Sequence, residues 1–161
     1  KSYLIISNLF FIIYVFLFCF MFLFFSNYIQ LKIILFTLLF GCIASDIGGF
    51  VFGKILKGPK LIKISPNKTI SGAVGSLLLT SIIMSISFFY FTENFSYNIL
   101  IVSIITSLAC QSGDLFFSFI KRKAKIKDTG NFLPGHGGVL DRLDGIFFGI
   151  PLGFLALTLL Y

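Results

Sequence analysis

Five long apolar segments constrain this chain more than any other feature of its sequence. Each is close to the roughly 20 residues that an α-helix needs to cross a bilayer. They cover Tyr3–Phe25, Ile33–Gly53, Gly72–Phe91, Ile99–Ile120 and Leu143–Tyr161. Hydrophobic residues make up 57% of the chain and charged residues only 12%, which excludes an ordinary soluble domain. We therefore predict an all-α polytopic membrane protein with about five transmembrane helices. Because the sequence starts at Lys1 and not at Met, we expect that further N-terminal helices of the protein are missing from it.

The basic residues are concentrated in two of the connections between these segments. Ten of the thirteen Lys and Arg residues lie between residues 54 and 68 or between residues 121 and 127. The positive-inside rule places such connections in the cytoplasm. Topology thereby explains the net charge of +7, and we predict no nucleic-acid partner. Cys19, Cys42 and Cys110 form no CxxC or other metal-ligand pattern and are expected to be small buried hydrophobic residues.

Carboxylates inside apolar segments are costly and by default indicate function. Asp46 lies near the inner end of the second segment and Asp114 has a similar depth in the fourth, which predicts a shared site. Helical spacing gives the fourth segment one polar stripe, formed by Gln111, Asp114, Ser118 and Lys121. Asp141 and Asp144 are three residues apart and face one point if the last helix begins near Leu140. The alternative is that Asp46 and Asp114 only pair with lysines to hold the helices together.

The first basic connection contains the sequence "ISPNKTISG", residues Ile64–Gly72. We expect Pro66 to fix a turn there, because its ring restricts the backbone. Ser65, Lys68 and Thr69 could grip a phosphate together with the first N–H groups of the next helix. The same residues could equally well form an ordinary helix cap.

The second basic connection, Ser118–Asp144, combines cations, carboxylates and glycines. The cations are Lys121, Arg122 and Lys127, the carboxylates are Asp128, Asp141 and Asp144, and glycines occupy positions 130, 135, 137 and 138. Mg²⁺ binds through one or two carboxylates plus substrate phosphates, while Lys and Arg neutralise the remaining oxygens. The connection therefore predicts a Mg²⁺–polyphosphate site. His136 could be a general base, a phosphate hydrogen-bond donor or a loop-ordering group. We favour the last two roles, because a phosphate nucleophile is already ionised at neutral pH.

These residues resemble the signature of the phosphatidate cytidylyltransferase family, the CDP-diacylglycerol synthases. The signature is matched by Ser118, Lys121, Arg122, Lys127, Asp128, Gly130, Pro134, His136, Gly137, Gly138, Asp141, Arg142 and Asp144. Gln111–Ser118 resembles the stretch that precedes the signature, and residues 65–69 resemble a second loop of the family. The chain departs from the family at Ile70–Gly72, where Trp-Glu-Gly is usual. No acidic role therefore passes to Ser71.

The resemblance implies a reaction of CTP with phosphatidic acid that gives CDP-diacylglycerol and pyrophosphate. It implies that Asp114, Asp141 and Asp144 hold Mg²⁺, and it allows a second metal ion, divalent or monovalent. Asp128 and His136 belong to the implied catalytic set. The implied phosphate-binding cations are Lys121, Arg122, Lys127 and Arg142. The implied substrate-binding residues are Asp46, Ser65, Lys68, Thr69, Gln111, Ser118, Gly137 and Gly138.

The resemblance also implies how the chain is organised and where it resides. It divides the chain into a generic N-terminal transmembrane region, residues 1–40, and a catalytic membrane domain, residues 41–161. It implies a homodimer in the bacterial cytoplasmic membrane, with the active site facing the cytoplasm. Gly49 and Gly53 share one face of the second helix, and this face could serve a dimer contact or an internal contact.

Two other classes of protein share some of these features. A CTP-dependent polyprenol or phytol kinase, or an archaeal-type lipid cytidylyltransferase, would also use CTP at a membrane, but the fully matched signature favours the diacylglycerol enzyme. An ion-coupled transporter that uses Asp46 and Asp114 would need polar residues that continue to the outer ends of the helices. Those ends carry only scattered Ser and Thr and no charges, which predicts a pocket open to one side.

Overall fold

The protein is mainly helical in a computed structural model that describes residues 2–62, 65–126, 129–130, 138 and 140–161. The side chains of residues 2–8, 10, 62, 65–67 and 140–142 are not among those described. The helices are α1 (Ser2–Asn27), α2 (Ile29–Leu56), α3 (Ile70–Thr92), α4 (Asn98–Lys123) and α5 (Leu140–Leu160). Two short strands, β1 (Lys60–Ile62) and β2 (Ser65–Thr69), lie between α2 and α3.

The helices have the length and composition of membrane spans. Within the described residues four segments are long and apolar enough to cross a bilayer, namely Ile29–Leu56, Ile70–Thr92, Asn98–Lys123 and Leu143–Leu160. Phe11–Asn27 is a shorter apolar helical segment. Large apolar side chains are exposed along all five helices, as expected where lipid is the solvent. The predicted all-α polytopic membrane fold is therefore confirmed. The expectation of further N-terminal helices stays a prediction.

The chain forms two compact units, residues Lys1–Phe36 and Thr37–Tyr161. The first contains α1 and the beginning of α2, where the rings of Phe24 and Tyr28 lie 5.4 Å apart. The second contains the remainder of α2, the strands and α3 to α5. The predicted division at residue 40 separates generic from catalytic sequence, and it stays a prediction.

The strands β1 and β2 form an antiparallel hairpin in the first basic connection. Lys60 pairs with Thr69 and Ile62 pairs with Ser65, with an irregularity between the two pairs. The expected turn at Pro66 is wrong, because Pro66 lies within β2. A two-stranded sheet consists only of edge strands, and an edge strand tolerates the missing proline N–H. The hairpin thus carries Lys68 as a strand residue to the start of α3.

The helices α2 and α3 approach each other through glycines. A Cβ atom at Gly48 would lie 2.6 Å from the carbonyl oxygen of Gly75, and one at Gly72 would lie 2.7 Å from that of Gly49. A Cβ atom at Gly53 would lie 3.0 Å from Thr69 Oγ1. Small residues permit this close backbone contact in a membrane, where helices gain little from hydrophobic burial. The face with Gly49 and Gly53 therefore makes an internal contact.

The helices α4 and α5 run antiparallel and are also joined through glycines. A Cβ atom at Gly113 would lie 2.7 Å from the carbonyl oxygen of Asp144, and one at Gly145 would lie 2.8 Å from Asp114 Oδ1. At the opposite ends of the two helices, Asn98 Nδ2 donates a hydrogen bond of 2.7 Å to the carbonyl oxygen of Leu160. This packing sets the Asp114 and Asp144 backbones side by side.

The cysteines differ in their surroundings. Cys42 of α2 and Cys110 of α4 are buried, as predicted, and both sulfur atoms lie against Gly149 of α5. Cys19 is exposed on α1, so the expectation that it is buried is wrong. An apolar run predicts a helix but not which of its faces is covered, because every face of α1 is apolar.

Candidate active site

One cavity of about 370 Å³ lies where the hairpin meets α2, α3, α4 and α5. All of its lining residues belong to the second compact unit. They are Ser45, Asp46, Gly49, Phe50, Leu61, Lys68, Thr69, Gly72, Ala73, Ser76, Gln111, Asp114, Ser118 and Asp144. Seven of them were predicted site residues, drawn from three helices and the hairpin. The cavity therefore gathers polar groups that are far apart in the sequence.

An ion pair crosses this cavity between the hairpin and α4. Lys68 Nζ donates to Asp114 Oδ2 over 2.9 Å, and the two side chains are 30% and 23% exposed. The strand geometry of β2 brings the lysine within reach, because residues 65–69 lead directly into α3, which packs beside α4. The contact matches the alternative in which Asp114 pairs with a lysine. Its position in a cavity, however, leaves both groups accessible to a ligand.

A second ion pair lies one helical turn into α5. Lys121 Nζ is 3.7 Å from Asp144 Oδ2, and these side chains are 14% and 16% exposed. The backbone N–H of Gly145 donates to Asp144 Oδ1 over 3.0 Å. The Asp114 and Asp144 side chains both line the cavity, and Asp114 Oδ1 lies only 2.8 Å from where a Cβ atom of Gly145, the residue after Asp144, would be. Two adjacent carboxylates repel each other unless cations lie beside them, and Lys68 and Lys121 supply those cations.

The amide of Gln111 is fixed by α3 and by its own helix. Its Nε2 donates to the carbonyl oxygen of Ala73 and to Ser107 Oγ, both over 3.3 Å. Gln111, Asp114 and Ser118 all line the cavity, so the predicted polar stripe on α4 faces the site. Lys121 continues the stripe and reaches Asp144.

Buried serine hydroxyl groups in and next to the cavity lining, at Ser45, Ser76 and Ser107, were not predicted from the sequence. Ser45 Oγ and Ser107 Oγ share a hydrogen bond of 3.1 Å, and Ser76 Oγ donates to the carbonyl oxygen of Ser45 over 2.6 Å. These bonds tie α2, α3 and α4 together directly beneath Gln111. A signal for them was present, because Ser107 precedes Gln111 by four residues and so extends the polar stripe by one turn.

The remaining predicted residues are placed as follows. Asp46 lies on α2 with an exposed side chain and lines the cavity. Thr69 is the N-cap of α3, where its Oγ1 accepts from Gly72 N over 3.1 Å, so its capping role is confirmed. Arg122 is exposed and does not line the cavity. Gly138 is buried against Thr129 and Gly130.

Several predicted residues fall outside the described part of the structure. Lys127, Asp128, His136 and Gly137 are not described, and neither are the side chains of Ser65, Asp141 and Arg142. The backbone places Asp141 in the first turn of α5, which begins at Leu140 as the sequence analysis required. The roles of all seven residues stay predictions.

The carboxylates can be tested for their fit to a magnesium ion. Asp114 and Asp144 contribute carboxylate oxygens to one cavity, and such oxygens are the donor type that Mg²⁺ prefers. Among the side chains that the structure describes, no group of three or more His, Cys, Asp or Glu residues converges on one point. Since Mg²⁺ usually takes only one or two carboxylates and completes its shell with substrate phosphates and water, the pair fits.

Comparisons with known proteins find relatives over most of the chain. The sequence model of the Cytidylyltransferase family matches residues 2–160. A phosphatidate cytidylyltransferase of Rickettsia felis is 42% identical over 127 residues, which are 73% of this chain and 56% of the relative. One of Helicobacter pylori is 43% identical over 120 residues, 74% of this chain and 45% of the relative. One of Staphylococcus aureus is 46% identical over 112 residues, 67% and 42% of the two lengths. The chain thus spans about half the length of the curated relatives that it matches. The matches confirm the resemblance found in Ser118–Asp144.

Proposed function

Because this chain belongs to the cytidylyltransferase family, we propose that it forms the catalytic membrane region of a phosphatidate cytidylyltransferase. The proposed substrates are CTP and phosphatidic acid, and the products are CDP-diacylglycerol and pyrophosphate. The observation that carries the proposal is a pair of carboxylates, Asp114 and Asp144, that line one cavity at the basic end of the helices. Each carboxylate is paired with a lysine, Lys68 or Lys121. A complex of a divalent cation with a polyphosphate can use both kinds of charge, since carboxylates bind the cation and lysines bind the phosphate oxygens.

The reaction needs little covalent chemistry from the protein. A phosphate oxygen of phosphatidic acid attacks the α-phosphorus of CTP, the new P–O bond forms, and the bond to the bridging oxygen of pyrophosphate breaks. The attacking oxygen is already ionised, so no general base has to remove a proton. The protein's contribution is to hold the two substrates in line and to balance their charge.

The carboxylates are proposed to hold the magnesium ion. Asp114 and Asp144 would be its ligands, together with Asp141 from the first turn of α5. When bound, the ion would neutralise charge on the triphosphate oxygens. A second ion, divalent or monovalent, is part of the same proposal.

The lysines are proposed to exchange partners when substrate binds. Lys68 and Lys121 neutralise the carboxylates in the described structure. We propose that phosphate oxygens take over these ammonium groups, because Lys68 lines the cavity, Lys121 contacts the cavity residue Asp144, and an ammonium binds phosphate as a point charge. We include Arg122, Lys127 and Arg142 in the triphosphate-binding set. Ser65, the start of α3 and the connection with Asp128, His136, Gly137 and Gly138 complete the proposed substrate contacts.

The site is proposed to face the cytoplasm of a bacterial inner membrane. Its cavity lies at the helix ends that carry the two basic connections, and such connections stay on the cytoplasmic side. CTP would arrive from the cytosol and phosphatidic acid from the adjoining leaflet. The proposed assembly is a homodimer. Its interface would not use Gly49 and Gly53, since α3 covers them.

The experiment that tests the proposal measures which part of labelled CTP is transferred to lipid. The purified full-length protein is incubated with phosphatidic acid, Mg²⁺ and CTP labelled in the cytosine ring or at the γ-phosphate. We expect ring label in the chloroform-extractable lipid and no γ label. The variants Asp114→Asn and Asp141→Asn should abolish the transfer. Glu93→Gln, which changes the C-cap residue of α3 at the end of that helix away from the hairpin, should not.

Each other outcome rejects the proposal in a different way. Transfer of the γ label alone would indicate a lipid kinase of the CTP-dependent class. Ring label only with a non-phosphatidate lipid would indicate a different lipid cytidylyltransferase. Absence of CTP binding by the folded wild-type protein would favour the transporter.

A further inference from the structure

Gln111 presents a fixed hydrogen-bond acceptor to the cavity. The carbonyl oxygen of Ala73 can only accept a hydrogen bond, so the amide nitrogen of Gln111 must point towards α3. Ser107 Oγ takes the other Nε2 hydrogen. Both N–H groups of the amide are therefore used. The opposite orientation would place Oε1 against the Ala73 carbonyl oxygen, and two acceptors cannot form a hydrogen bond.

The Oε1 atom of Gln111 remains available to a ligand. Within the described residues it accepts no hydrogen bond, and the only fully buried side-chain atom there without a partner is Ser85 Oγ. The Oε1 atom is thus not sealed in the protein, and the side chain to which it belongs lines the cavity. A ligand group placed there must be a hydrogen-bond donor or a cation, because an acceptor would face an unpaired carbonyl oxygen, and among organic substrate groups only a donor meets this condition.

The two proposed substrates differ in their ability to donate. The glycerol esters and the ionised phosphate of phosphatidic acid offer acceptor oxygens. The nucleoside of CTP offers an exocyclic amino group on the base and two ribose hydroxyl groups. A fixed acceptor therefore suits the nucleoside and not the lipid. Gln111 also precedes Asp114 by three residues, about 4.5 Å along the helix axis, so it lies beside the proposed site of the α-phosphate.

We propose that Gln111 Oε1 accepts a hydrogen bond from the nucleoside of the nucleotide substrate, which makes Gln111 a specificity-determining residue. This inference rests on the proposed cytidylyl transfer. The donor is the base amino group or a ribose hydroxyl, groups that present the same N–H or O–H chemistry to the carbonyl. Ser107 acts as a positioning residue, since its bond to Nε2 and its bond to Ser45 hold the amide in place.

The test compares CTP with nucleotides that lack either the base amino group or one ribose hydroxyl. The ratio kcat/KM is measured with CTP, UTP, 2′-deoxy-CTP and 3′-deoxy-CTP for the wild type and for Gln111→Met in the full-length protein. We expect the variant to lose about tenfold with CTP, the value of one neutral hydrogen bond of about 1.4 kcal/mol. It should lose nothing with the analogue that lacks the matching donor. A collapsed preference for CTP over UTP identifies the amino group, and a collapsed preference over a deoxynucleotide identifies the hydroxyl.

Matched controls separate this inference from others. Gln30→Met makes the same substitution at a glutamine outside the cavity lining and should leave every ratio unchanged. Ser107→Ala should shift the same ratio in the same direction by a smaller factor, even if Gln111→Met does not fold. If both variants keep the wild-type ratios of kcat/KM between CTP and its analogues, the inference is wrong. The proposed function would still stand in that case, provided that the wild type transfers the cytidylyl group. Absence of cytidylyl transfer by the wild type would instead reject the function.

Discussion

Replacing Lys68 by methionine should weaken turnover of CTP and at the same time strengthen binding of a divalent ion to the nucleotide-free protein. The two effects have opposite signs because Lys68 is expected to serve two partners in turn. In the described structure its ammonium neutralises Asp114. With substrate bound it is proposed to contact phosphate. Methionine keeps most of the side-chain volume and removes only the charge.

The size of the metal effect follows from the exposure of the ion pair. Exposed pairs contribute about 0.2–1 kcal/mol, and breaking a fully buried one costs about 3–5 kcal/mol. The Lys68 and Asp114 side chains are 30% and 23% exposed, so we place the net value of the pair near 1 kcal/mol. An ion that no longer has to displace the ammonium should bind about fivefold more tightly, because 1.4 kcal/mol corresponds to a factor of ten.

The size of the turnover effect follows from the proposed phosphate contact. A hydrogen bond to a charged group is worth about 1.5–3 kcal/mol. Its loss should lower kcat/KM for CTP by about 10- to 100-fold. The control is Lys60→Met, which removes an exposed lysine from the neighbouring strand and should change neither quantity.

Electron paramagnetic resonance of Mn²⁺ gives the metal affinity without any turnover, and a radiolabelled CTP assay gives kcat/KM. A Lys68→Met protein with unchanged or weaker Mn²⁺ binding would refute the exchange of partners, even if its activity were lost. Unchanged activity together with tighter Mn²⁺ binding would refute the phosphate contact alone.

Three further experiments test the packing around the site. Gly145→Ala should lower kcat about 10²-fold in folded protein, because its Cβ would lie 2.8 Å from Asp114 Oδ1 and displace that carboxylate. Gly149→Ala, one turn further along α5, meets cysteine sulfur instead, so a thermal melt should show a lower Tm without a comparable loss of kcat. An equal loss of kcat in both variants would contradict this account. The pair Ser45→Ala and Ser107→Ala should show a coupling of about 0.6 kcal/mol in a double-mutant cycle of unfolding in detergent, and strict additivity would argue against their hydrogen bond.

The sequence predicts the helices well because the bilayer imposes their length and composition. It also predicts which polar groups meet. Asp114 and Asp144 lie near the ends of different apolar segments, and the cost of burying a lone charge brings cations to them. Helical spacing alone placed Gln111 and Ser118 on the same face as Asp114, and all three line the cavity.

Other features could not be predicted, because they depend on pairs of elements rather than on one. Pro66 lies in an extended strand because β2 pairs with β1, and this pairing overrides the turn preference of proline. The covered and uncovered faces of α1 cannot be distinguished by composition, hence the error at Cys19. The internal role of Gly49 follows only from the carbonyl oxygen of Gly49 lying against Gly72 of α3.

The glycines of α5 have a consequence for how the protein assembles. Gly145, Gly149 and Gly153 recur every four residues and lie against Asp114, Cys110 and Thr106, which recur at the same interval along α4. Because both helices repeat the contact every four residues, the equivalent contact positions are about 6 Å apart along the helix axes. A shift of α5 along α4 by four residues would still place glycines against α4, but it would move Asp144 away from Asp114. Misassembled molecules would therefore differ from native ones by a whole four-residue shift. A partly misfolded preparation would contain a fully active and an inactive population rather than molecules of uniformly reduced activity.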